Sequence, residues 1–205
     1  MDISLLPERL RAFVALRLDS AVDSAIGGLT DRIRSPNDGI RWVRASNFHL
    51  TLFFLGPAVP RERIAPIVEE LGAIAANTAS FDVEARGTGA FPNPARPRVI
   101  WVGLHSPDLM RLAARVIDAA ARCGFKADRP EYSPHLTIGR VRSPRSPSAL
   151  RRALENEAQR SFGVSRIERV VLYRSELGAE ASTYHEFIAF PFGARAARDS
   201  APHKP

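Results

Sequence analysis

A chain of 205 residues is long enough for one large domain or two small lobes with a real core, and its 45% apolar and 25% charged residues are those of a soluble globular protein. No run approaches the roughly 18 apolar residues of a membrane span, Asp2, Glu8, Arg9 and Arg11 break up any leader-like N-terminus, and the lone Cys123 excludes an internal disulfide framework or a cysteine metal cluster, which fits a reducing cytoplasm. The net charge of +7 and pI of 10.6 suit a polyanionic partner, since phosphates attract Lys and Arg at long range, although Arg195, Arg198 and Lys204 place part of that excess in the tail.

In chain order, Arg11–Leu18 reads as a strand, and Ser20–Arg34 carries Val22, Ile26, Leu29 and Ile33 at helical spacing. Ile40–Val43 and His49–Leu55 read as strands, the second ended by Gly56-Pro57. Arg61–Ala76 reads as a helix behind Pro60, Phe81–Arg86 as a strand and Phe91–Pro97 as a Pro-rich loop. The order then recurs. Arg98–Leu104 is a strand, and Ser106-Pro107-Asp108 opens a helix with an N-cap, a proline at the first helical position and an acid in the first turn. That helix runs to about Arg122, with Cys123 beyond it as a buried structural thiol rather than a nucleophile. His135–Val141 is a strand, Ser148–Arg160 a helix, and Ile167–Arg174 and Tyr184–Phe192 strands. Residues 194–205 have no apolar pattern and read as a disordered tail, leaving 1–193 as a single domain.

The recurrence has a fixed offset. His135 minus His49 is 86, and so is Thr137 minus Thr51. The same shift carries Phe13 to Val99 and Phe81 to Ile167, each within or at the start of a predicted strand. This pattern predicts an α+β fold of duplicated β-α-β-α-β units, two lobes about a pseudo-twofold axis with a cleft between them.

Two motifs occupy matching places in that repeat: His49-Leu50-Thr51-Leu52 and His135-Leu136-Thr137-Ile138. Side chains alternate along a strand, so each histidine shares a face with its threonine while the apolar pair turns into the core. Phosphodiester hydrolysis needs one group to deprotonate water and another to protonate the leaving alkoxide. Imidazole, with an ordinary pKa of roughly 6.5, serves either role near neutral pH. A threonine hydroxyl can donate to the phosphoryl oxygens where transition-state charge sits. A single such motif is more often structural; two complete ones in a chain of this composition arise by chance about 1% of the time, which reverses the odds. Arg140 stands three residues after Thr137. Ideal alternation would turn it to the opposite face, so a bulge, a twist or its long reach is needed to bring its fork to a phosphate.

The other histidines read differently. His105 lies at a strand-to-helix turn and reads as solvated, His185 as an exposed or packed strand residue, and His203 as part of the tail. No metal-ligand spacing and no phosphate-cradling glycine loop appears, so neither a metal nor a cofactor is expected. Phe13, Phe54, Phe91 and Trp42 could stack on bases in an RNA-binding module without catalysis, but each lies in or beside an apolar run and reads as core.

The two H-x-T-x motifs resemble those of the 2H phosphoesterase superfamily, and within it the RNA 2′,3′-cyclic phosphodiesterase, or 2′-5′ RNA ligase-like, family. The resemblance extends over nearly the whole chain, through Arg11–Leu16, Ile40–Val43, Asn47–Gly56, Pro97–Leu104, Ser133–Arg140 and Val171–Ser175. Gly139 departs from it slightly, at a place where the family often has another small or apolar residue. The resemblance implies a bilobal α+β fold with two antiparallel sheets lining a central cleft and helices outside. It implies metal-independent hydrolysis of an RNA terminal 2′,3′-cyclic phosphate to a 2′-phosphate, with His49 as proton donor, His135 as proton acceptor, and Thr51, Thr137 and Arg140 holding the phosphate. The partners so implied are RNA ends or cyclic nucleotides; a monomer with no membrane association is expected. Residue pattern alone leaves the acid and base interchangeable. Ligation of RNA through a 2′-5′ bond, the reverse reaction, is the alternative for the same site.

Overall fold

Nine strands and four helices alternate along the described residues of the computed structural model, 7–127, 131–143, 147–178 and 182–193. They run β1 (Arg9–Leu16), α1 (Ser20–Ile33), β2 (Ile40–Trp42), β3 (Leu50–Pro60), α2 (Ile64–Ala76), β4 (Phe81–Phe91), β5 (Val99–His105), α3 (Pro107–Arg122), β6 (His135–Val141), α4 (Pro147–Asn156), β7 (Ser161–Ile167), β8 (Arg169–Leu177) and β9 (Ser182–Pro191). The tail expected at 194–205 lies outside the described residues.

The helices form where apolar residues recur at helical spacing. α1 buries Val22, Ile26 and Leu29; α3 buries Leu109, Leu112 and Val116 behind Pro107 at its first turn, with the Ser106 hydroxyl accepting from the Leu109 N–H. These stripes pack with Leu50, Ile100, Val102 and Leu136 from the strands into one main core. A smaller cluster, Phe13, Ala15, Val171 and Tyr173, gathers separately from that core.

The strands do not form the two sheets expected. They make one continuous antiparallel sheet in the order β7-β4-β5-β6-β3-β1-β8-β9, with β2 added beside β6. The join is narrow: β3 and β6 are in register at Leu50 and Leu136. Both leucines are fully buried, so the two halves share one apolar layer and need no gap between them. An 86-residue shift carries β1 to β5 and β3 to β6, but β4 to β8, which hydrogen-bonds to β1 in the opposite half.

Two strands run on past their predicted ends, at Gly56-Pro57 and at Arg86, through bulges. β3 passes through Gly56-Pro57 and reaches Pro60, its register with β1 slipping between Leu10 and Ala12. β4 passes Gly87, at φ +73°, and reaches Phe91, slipping between Ala85 and Thr88. β7 was not expected at all. Its Ser161, Gly163 and Ser165 have little strand propensity, and pairing along β4 sets its conformation instead.

Candidate active site

The Leu50–Leu136 pair fixes the site. Continuing its antiparallel register by one residue each way sets His49 alongside Thr137 and Thr51 alongside His135. Because both leucines point into the main core, all four polar side chains take the opposite face of the sheet. The structure therefore brings the two motifs together at the centre of the sheet, on strands 86 residues apart in sequence.

Each imidazole is held the same way. His49 Nδ1 lies 2.8 Å from the Asn47 carbonyl, and His135 Nδ1 lies 2.7 Å from the Ser133 carbonyl. A carbonyl only accepts, so both Nδ1 atoms carry the hydrogen, and Nε2 is the atom on each ring that takes or gives a proton. Tyr132 donates its hydroxyl to the Thr51 carbonyl at 3.1 Å, tying the segment that leads into His135 to β3.

The surroundings of the two rings differ. Phe13 and Tyr184 each pack on His49 with ring centres 4.9 Å apart, and Tyr173 stands 6.4 Å away. Burial holds the His49 pKa down at about 4; the Asn47 hydrogen bond opposes this, and the positive charges of Arg17, Arg140 and His135 add to it. In the free protein at neutral pH His49 is therefore uncharged. His135 meets Phe91 edge-on at 4.9 Å, and Phe91 in turn packs on Trp101 at 5.4 Å. Phe13 and Phe91, expected in the core, thus stand against the two imidazoles. Aromatic residues in apolar runs are core residues on most strands, but this sheet carries apolar side chains on its site face as well.

Arg140 reaches the site face through a bulge. Opposite β6, Trp101 pairs with Thr137 while the next residue back, Ile100, pairs with Gly139, so Ile138 is the extra residue. Alternation restarts after it. Ile100 is fully buried and takes Gly139 with it to the core side; Val99 and its partner Arg140 return to the face of Trp101 and Thr137. Gly139 suits that place because a Cβ there would lie 3.1 Å from Ile40 and Trp42. Across β2, Arg41 pairs with Arg140 and so joins the same face.

Arg41, Arg17, Tyr173, Tyr184 and Trp101 were not singled out from the sequence. Only the folded register brings them beside the histidines, through pairings such as Phe13 with Tyr173 and Trp101 with Thr137. Arg17 is fixed by the Ser46 carbonyl at 2.8 Å and by Asp23 at 3.2 Å. His105 is exposed, 3.2 Å from the Arg86 carbonyl, and His185 is exposed beside Glu176, so neither belongs to the site. Cys123 is only partly buried, at the end of α3, and burial raises its pKa. Among the described residues no three His, Cys, Asp or Glu side chains converge as metal ligands, and no helix is long and apolar enough to cross a membrane.

Comparison with known proteins places this arrangement. Residues 22–178 match the family model of the 2′-5′ RNA ligase superfamily. An RNA 2′,3′-cyclic phosphodiesterase of Methanothermobacter thermautotrophicus is 31% identical over 89% of this chain and 98% of its own length. One of Archaeoglobus fulgidus is 31% identical over 88% of this chain and 99% of its own. Among solved structures, a Thermus thermophilus protein superposes with a TM-score of 0.75 at 27% identity, covering 90% of this chain and 98% of that one. E. coli LigT complexed with 3′-AMP superposes with a TM-score of 0.72 at 26% identity, over 91% of this chain and all of that one.

Proposed function

This chain belongs to the 2′-5′ RNA ligase superfamily, and on that premise we propose that it is a phosphodiesterase hydrolysing RNA terminal 2′,3′-cyclic phosphates to 2′-phosphates through His49 and His135. The observation that carries the reading is the matched locking of the two rings: each Nδ1 is committed to a carbonyl, so each Nε2 is the working nitrogen, on one face with Thr51, Thr137 and Arg140.

In this reaction Nε2 of neutral His135 takes a proton from water as its oxygen attacks phosphorus. The bond from phosphorus to the 3′ oxygen breaks, and Nε2 of His49 delivers a proton to that oxygen. The products are a 2′-phosphate and a free 3′-hydroxyl. The Thr51 and Thr137 hydroxyls and the Arg140 guanidinium meet the charge on the non-bridging oxygens.

The donor role asks His49 to be charged, whereas in the free protein burial keeps it neutral. A bound phosphate supplies what is missing. Its negative charge against Nε2 favours the imidazolium, and it offsets Arg140, one of the charges that lowers the His49 pKa. No step uses a metal or cofactor. Ligation would run the same proton transfers backwards, and bulk water favours hydrolysis.

The test is incubation with 2′,3′-cyclic AMP and, separately, 3′,5′-cyclic AMP. Turnover of the first and not the second is expected. A protein that turns over neither these nor a short RNA ending in a 2′,3′-cyclic phosphate has no such activity, and one that prefers the 3′,5′ isomer has a different substrate class.

A further inference from the structure

A cavity of about 470 Å³ opens against His49, between the start of α1, β8 and β9. Two aromatic side chains wall it beside the histidine. Tyr173 is backed by Phe13, its ring nearly parallel at 5.1 Å, and Tyr184 meets His49 edge-on. The charged groups in the lining are Arg17, Asp23, Arg169 and Glu186, and they are matched within it. Arg17 pairs with Asp23 at 3.2 Å, and Arg169 with Glu186 at 3.3 Å. With both cations so engaged, the lining suits a neutral group that carries hydrogen-bond donors as well as acceptors, rather than a second phosphate. Aromatic walls with a few convergent polar groups are what a planar heterocycle needs.

The cavity also stands where the reaction leaves room for such a group. In-line displacement puts the attacking water and the departing 3′ oxygen on opposite sides of phosphorus. Water is activated at His135, so the ribose that carries the 3′ oxygen lies on the His49 side. Its base is then next to the cavity that His49 itself lines.

We infer that this cavity receives the base of the cyclic nucleotide and that the Arg169–Glu186 pair selects guanine. The inference rests on the proposed hydrolysis with His49 as donor to the 3′ oxygen. Glu186 accepts from the Tyr173 hydroxyl at 3.1 Å and from Arg169 at 3.3 Å, both at Oε1, which fixes the carboxylate and leaves Oε2 for a ligand. The pairing edge of guanine presents an acceptor at O6 and then two adjacent donors, N1–H and the 2-amino group. A guanidinium beside a carboxylate offers the complement, a donor and then two acceptors. No other RNA base has two adjacent donors on that edge. Adenine and cytosine have one exocyclic amine followed by acceptors, and uracil has one N–H between two carbonyls.

The experiment compares kcat/KM for 2′,3′-cyclic GMP, IMP, AMP, CMP and UMP, and for short RNAs that differ only in a cyclic terminal G or A. The unmodified protein should favour guanine over adenine by about tenfold or more, within what a bidentate base contact is worth. Cyclic IMP, which lacks only the 2-amino group, should fall between them. Glu186→Gln replaces one of the two acceptors by a donor and should bring the ratio of guanine to adenine close to one. Arg169→Gln, which removes the donor to O6, should lower the ratio as well. Both residues are exposed, and thermal melting of the variants confirms the fold. A ratio near one in the unmodified protein, or a preference for another base, overturns the inference while the hydrolase reading stands. So does a guanine preference that survives in either variant, even if turnover falls on every substrate, because that loss would come from Tyr173 losing its anchor. Absence of turnover on every cyclic nucleotide and RNA tested overturns the hydrolase reading and the inference together.

Discussion

Leu50 and Leu136 face each other across the join of β3 and β6, and their positions differ by the same 86 residues that separate the two histidines. Any residue flanking one leucine is therefore matched across the join by its counterpart's neighbour. His49 comes to lie beside Thr137 and His135 beside Thr51, so each half of the site is completed by the other half of the sheet. A slip of either strand by one residue would send its histidine and threonine to the opposite face and break the site.

If the two imidazoles act on one transition state, each is indispensable. His49→Ala and His135→Ala should each lower turnover of 2′,3′-cyclic AMP by about 10²–10⁴. The double variant should be hardly worse than either single one. Thr51→Val and Thr137→Val should cost less, because each removes one of several phosphate contacts. Near-full activity in either histidine variant, with the fold intact by circular dichroism, would show that its ring does not carry a proton.

Much of this site was legible in the sequence because strand alternation is a local rule. The faces of His49, Thr51, His135 and Thr137 follow from it directly. Arg140 was not placed by that rule, since the bulge at Ile138 arises from pairing with β5 and not from the β6 sequence alone. The aromatic surroundings were misread for a related reason. Phe13 and Phe91 sit in apolar runs like core residues, and only the pairing of Phe13 with Tyr173 and the contact of Phe91 with His135 show which face they take. Gly56-Pro57, read as a strand end, lies at a bulge, a distinction that depends on whether a partner strand continues past it.

The pH profile of kcat/KM should be a bell whose acid limb lies near pH 4, the value to which burial brings His49. The active population is the pair holding a single proton, whichever ring holds it, so the limb belongs to the pair and appears under either assignment of acid and base. Tyr184 covers His49 edge-on. Tyr184→Ser admits water to the ring, weakens the burial that depresses its pKa, and should move the acid limb upward toward the ordinary histidine value. NMR titration of the His49 ring follows the same change without turnover. An unmoved limb would mean that Tyr184 does not keep water from the ring.

Asp23 offers a test through stability. Burial raises its pKa to about 6 from 3.8, against the pull of Arg17, and its Oδ1 has no hydrogen-bond partner. A carboxyl that holds its proton more tightly when folded adds stability below pH 3.8 and loses it as the pH rises through about 6. Asparagine does not titrate. The melting temperature of Asp23→Asn relative to the unmodified protein should therefore improve steadily between those two pH values and stay level above them. A difference that does not change with pH over that range contradicts the raised pKa.

The product identifies which oxygen leaves. With His49 beside the 3′ oxygen, hydrolysis of 2′,3′-cyclic AMP gives the 2′-phosphate, and phosphorus NMR separates it from the 3′ isomer. The same reaction should survive excess EDTA, since proton transfer by two imidazoles and charge stabilisation by Thr51, Thr137 and Arg140 need no metal. Loss of activity with EDTA, restored by a divalent ion, would remove the two-histidine mechanism. A dominant 3′-phosphate carries a narrower message. It would set the 2′ oxygen beside His49 and turn the nucleotide end for end across the join of β3 and β6. The proton transfers would survive that reversal, because the two rings are locked alike through Asn47 and Ser133.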